Sequence, residues 1–128
     1  MVRVMASLNM GISYALTNED IEHIVAENRI GNYALGYLNA KATFIVRYVG
    51  RSDSDLRERI KHGIVDMAAD PSCRYERFKF SYAENVQEAY EKECRNYHDF
   101  GGDRGKLRNT VHPAKPEDYK GNCPVCHK

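Results

Sequence analysis

Apolar side chains recur at helical spacing in three stretches of the chain, and between those stretches they alternate with polar ones or bunch with aromatic residues. Thr17, Asn18 and Asp20 precede Ile21, Ile24 and Val25, which predicts a short first helix stopped by Gly31. "NYALGYL" at 32–38 and "TFIVRYVG" at 43–50 are rich in aromatic and β-branched residues and flank the polar "NAKA", the pattern of an antiparallel hairpin. Leu56, Ile60, Ile64 and Met67 form the buried stripe of a second helix, capped by Asp53 or Ser54 and ended by "ADPS". "YERFKFSY" sets Phe78, Phe80 and Tyr82 on one face and Arg77, Lys79 and Ser81 on the other, as a half-buried strand requires. Asn85 and Glu88 make a capping box for a third helix whose inward side carries Val86, Ala89, Tyr90, Cys94 and Tyr97, closed by "GGDRG".

These elements predict an α+β fold, a three-stranded antiparallel sheet flanked by helices, with a short N-terminal helix and a C-terminal tail. The 128 residues suit one domain with a real core. The expected divisions are a helical extension at 1–30, a core at 31–109 and a tail at 110–128. The tail has three of the four prolines and little periodicity, so something other than an apolar core must order it.

Charge changes the picture locally rather than globally. The net charge is +1, and no overall field points to nucleic acid or a membrane. Residues 41–62 and 101–128 each carry six basic against three acidic side chains, while 63–100 carry five against eight, so two mildly basic segments flank an acidic one. There is no run of about eighteen apolar residues and no basic start leading into an apolar stretch, so a soluble cytoplasmic protein without a membrane partner is expected.

"NCPVCHK" brings Cys123 and Cys126 at metal-ligand spacing, and Cys94 and His98 stand four apart on one helix face. Together they compose a tetrahedral set of three cysteines and one histidine for a structural Zn2+ that would pin the tail to the third helix. His112 and His127 are alternatives for the histidine. Cys73 reads as a small buried hydrophobe. A redox pair is the other reading of Cys-x-x-Cys, but such thiols are activated at strand-to-helix turns rather than in a tail.

The order strand, strand, helix, strand, helix, with "GNY" at 31–33, "YVG" at 48–50, Arg59 on the second helix and Glu93 within "EAYEKECRNYH", resembles the GIY-YIG endonuclease superfamily over roughly residues 31–109. The resemblance implies hydrolysis of phosphodiester bonds in nucleic acid, with DNA as the expected substrate. Tyr33 and Tyr48 would enter the site from neighbouring strands, Arg59 would face the phosphate, and Glu93 would hold Mg2+. Tyr37, in its own Gly-Tyr pair, rivals Tyr33. His62 is aligned with a histidine or tyrosine of that helix, Arg51 adds positive charge, and Asn109 matches an asparagine after the last helix.

The residues themselves support part of this set. Glu93 lies near the apolar line of its helix, where a carboxylate needs a cation, either a metal or an arginine such as Arg59 or Arg95. Phosphodiester cleavage needs a base for water, positive charge on the phosphorane and help for the leaving oxygen. Tyrosine has an ordinary pKa of about 10, so a phenolate would need Arg51, Arg59 or a cation beside it. A single Mg2+ with few protein ligands suits one glutamate, and Gly50 lets backbone or substrate approach closely. Arg57 and Lys61 read as a solvated helix face, and His62 reads equally as a surface residue. A non-catalytic nucleic-acid-binding module of the same fold, with the zinc tail as its contact surface, is the alternative.

Overall fold

The computed structural model describes residues 7–102 and 107–128. In chain order the elements are β1 (Tyr14–Ala15), α1 (Asn18–Ile24), β2 (Gly31–Leu38), β3 (Phe44–Ser52), α2 (Leu56–Ala69), a 3-10 turn at Pro71–Cys73, β4 (Arg77–Tyr82) and α3 (Val86–Asp99). Local chemistry explains where they start. The Thr17 hydroxyl accepts the Asp20 amide at the head of α1, and Asn85 Oδ1 accepts the Glu88 amide at 2.8 Å at the head of α3. The cap of α2 differs from expectation. Asp55 holds that position without a side-chain bond to the helix, its carboxylate accepting the Asn28 amide, and Ser52 Oγ accepts the Ser54 and Asp55 amides in the turn before it.

The sheet has four strands, ordered β1-β4-β2-β3 and antiparallel throughout, rather than the three expected. The added strand pairs Tyr14 with Phe78 and Ala15 with Arg77, and two residues are too few to show any alternation. Gly31 is not a helix stop. α1 ends at Ile24 and Gly31 opens β2, where a Cβ would come within 2.4 Å of the Ser81 carbonyl.

Each face of the sheet is covered by helix. On one face Tyr33, Leu35 and Phe78 pack with Ile21 and Val25, at α1 and its C-cap, and with Leu56 and Ile60 of α2. On the other, Ala34, Val46 and Val49 pack with Tyr97 of α3 and with Leu8 and Met10. The residues ahead of β2 therefore share the core of those that follow. Arg57 and Lys61 tie the helices together, Arg57 bonding Glu27 and the Val25 and Glu22 carbonyls, and Lys61 bonding Glu22.

The ladder slips by one residue between β2 and β3. Leu35 faces Tyr48, Gly36 faces Val46, and Arg47 is left over as a bulge. Val46 and Tyr48 would share a face in a regular strand, and the bulge sends them to opposite ones. Tyr48 thereby joins Tyr33 on the α2 side. Beyond α3 the chain at 107–128 has no helix or strand and crosses the outer edge of β3, where the Arg108 amide donates to the Arg47 carbonyl. Among the described residues no helix is long and apolar enough to cross a membrane.

Candidate functional site

Tyr33 and Gly50 are direct partners across β2 and β3. A Cβ at residue 50 would sit 2.5 Å from the Tyr33 ring, so the glycine is what lets that ring lie flat on its neighbour strand. The Tyr33 and Tyr48 rings stack with centroids 6.1 Å apart, and Tyr75 meets Tyr48 edge-on. Burial, reinforced by Tyr48, lifts the Tyr33 phenol well above its ordinary value against the pull of Arg59. Burial, reinforced by Glu93, lifts Tyr48 in the same direction. The cation needed for a phenolate is present, but desolvation outweighs it, and both hydroxyls stay protonated at neutral pH.

Glu93 is 9% exposed, as its place on the apolar line of α3 requires. Its partner is Arg51 of β3, whose guanidinium reaches Glu93 Oε1 at 2.5 Å and Asp53 Oδ1 at 2.8 Å, rather than Arg59 or Arg95. Burial raises the Glu93 pKa, and the Arg51 charge and hydrogen bond oppose that rise. Arg59 is exposed and has no carboxylate within 4.0 Å among the described residues.

These side chains meet at two adjoining hollows. A cleft of 430 Å³ is lined by Tyr48, Arg51, Asp53, Arg59 and Glu93 and by residues 108–114. A second hollow is lined by Tyr33, Tyr48, Arg59, His62 and Asp66. Tyr48 and Arg59 border both and so connect them. Tyr37 borders neither; it pairs with Ile45, and the Arg74 guanidinium lies over its ring at 3.6 Å. Asn109 reaches the cleft wall with its amide already committed, Nδ2 donating to the Val49 carbonyl and Oδ1 accepting the Val49 amide. Sequence reasoning missed Asp53, Asp66 and Arg108 as site residues; only their nearness to Arg51, His62 and Asn109 in the chain could have suggested them.

A separate group of side chains lies where the tail meets α3. His98, His112, Cys123 and Cys126 offer ligand atoms all within 4.8 Å of one another, and the group could hold a metal ion. His112 Nε2 is 3.3 Å from Cys126 Sγ, while Cys123 Sγ accepts the Val125 and Cys126 amides. Among the described residues His98 Nε2 is buried without a hydrogen-bond partner, and a metal ion would take up its lone pair. His112 takes the place expected for Cys94, and His127 stays outside. Cys94 sits behind Cys123 in an apolar cluster with Tyr90, outside the four-ligand group. Cys73 is buried in the α2-side core, as expected of a small hydrophobe.

No family model, no curated protein and no solved structure matches this chain.

Proposed function

We propose that the protein is a GIY-YIG-type endonuclease that hydrolyses phosphodiester bonds in nucleic acid, DNA in the first instance, and carries a structural zinc in its tail. One observation carries the reading. Residues 33, 48, 59 and 93, scattered over sixty positions of chain, border one pair of connected hollows, and among the described residues the arginine in this set has no carboxylate partner.

In this reading Arg59 takes a non-bridging phosphate oxygen and steadies the charge that builds on phosphorus. Tyr48, a neutral phenol, acts as donor and acceptor to orient the attacking water and relay its proton, with Tyr33 stacked beneath it. His62 lines the same hollow and offers a ring nitrogen to take the proton that Tyr48 passes on. Glu93 and Asp53 offer carboxylate oxygens to the same cleft, the donor type Mg2+ takes when it keeps most of its waters. When bound, that ion would supply Lewis acidity to the phosphate. At the tail, two thiolates and two imidazoles within tetrahedral reach are the donor set zinc prefers.

The observation that favours a binding module instead is the Arg51–Glu93 ion pair, which already neutralises the carboxylate. Labelled duplex, branched and single-stranded DNA, incubated with zinc-loaded protein with and without Mg2+, separates the two. Cleavage that requires Mg2+ and falls on the order of 10²-fold in Tyr48→Phe, at unchanged affinity, is the expected result. Equal cleavage by wild type and variant would move the chemistry elsewhere. Binding without cleavage under any of these conditions selects the module.

A further inference from the structure

The cleft and the metal group meet at one residue. His112 lines the cleft together with Arg59 and Glu93, and it belongs to the four-ligand group, its Nε2 3.3 Å from Cys126 Sγ. We infer that the metal centre builds the far wall of the nucleic-acid cleft, so that metal loading and nucleic-acid binding strengthen each other; this rests on the cleft being the nucleic-acid site.

The wall, residues 108–114, has no helix or strand to hold it. At its start Arg108 donates to the Arg47 carbonyl and Asn109 clasps the Val49 backbone from both sides. The Arg108–Asp70 ion pair is largely exposed and adds little. Beyond Asn109 the chain is fixed by the buried Pro113 and by His112, whose ring is held against Tyr97 and His98 of α3. A metal ion would join His112 to His98 on that helix and to Cys123 and Cys126 in the tail, closing the wall from its far end. Glu93 stands five residues before His98 on the same helix, so the ion would tie residues 108–114 to the helix that brings Glu93 to the cleft.

The coupling must be reciprocal. If metal loading orders the wall that phosphate meets, bound nucleic acid tightens metal binding by the same factor, on the order of tenfold. His112 also follows Asn109 by three residues of chain, and Asn109 holds the Val49 amide next to Tyr48.

Hydrogen exchange on the full chain, zinc-loaded and zinc-free, tests the wall without any nucleic acid. Zinc should slow exchange at the Val49 amide and across 107–114 by about tenfold or more, and protection confined to 119–128 would overturn the inference. His112→Ala should reproduce the zinc-free pattern at Val49, and His112→Cys, which keeps a ligand, should restore it. Zinc affinity is then measured by competition with a chromophoric chelator, with and without a saturating oligonucleotide. Equal zinc affinity in the presence of bound oligonucleotide sinks the coupling and leaves the nuclease reading standing. An oligonucleotide that never binds removes the nuclease reading instead, and with it the coupling, while the exchange data still decide what holds the wall.

Discussion

Glu93 shows at residue scale how the site balances opposing costs. Burial disfavours its charge, Arg51 favours it, and the carboxyl ends above its ordinary value of 4.5. The folded chain then holds the Glu93 proton to higher pH than the unfolded chain does, so native stability falls as pH climbs from 4.5 through the raised value. Glu93→Gln keeps the shape and removes that titration. In thermal melts the wild type should lose ground to the variant over this window and stay level above it. A wild type that gains on the variant as pH rises would mean that Arg51 outweighs burial. Arg51 does not depend on Glu93 alone, since it keeps Asp53 when the glutamate is neutralised.

Among the elements, the β2–β3 turn stores a small strain. Ala42 sits in the left-handed region at φ 59, where a Cβ is unfavourable and glycine is not. Ala42→Gly should therefore stabilise the fold by about 0.5 kcal/mol, after allowing for glycine's freer unfolded chain, read from the midpoint of denaturant unfolding. A lower midpoint would show that unfolded-state entropy dominates. The helices α2 and α3 and the strand β4 were legible because their apolar positions repeat, and β2 and β3 because they are rich in aromatic and β-branched residues. β1 left no such trace, and neither did the bulge at Arg47, which is a matter of register between strands rather than composition. The helical stripe revealed that Glu93 would be buried and need a cation, but choosing Arg51 over Arg59 or Arg95 required the strand order. Cys94 and His98 were legible as neighbours on one face, and both meet the tail; that Cys94 packs behind Cys123 while His98 joins the ligand group depends on the path of the tail, which has no periodicity to read.

For the whole molecule, a net charge of +1 sets a limit on affinity for polyanions. Three cations, Arg51, Arg59 and Arg108, border the cleft, the first paired with Glu93 and Asp53 and the last with Asp70. Nucleic-acid binding through the cleft alone should fall with salt at a log–log slope of only about −2 to −3. Fluorescence anisotropy across a salt series reads that slope, and a value beyond about −6 would mean that the basic segments contribute as one broad face. The clasp at the start of the tail also has a consequence for solubility. β3 is the outermost strand, and Arg108 and Asn109 occupy its free backbone groups at Arg47 and Val49, the asparagine amide imitating a peptide unit. A sheet rim left open invites strand addition by another chain. With residues 107–128 removed, the rim at Arg47–Val49 becomes such an opening, and the same segment that walls the cleft is the guard against edge-to-edge aggregation.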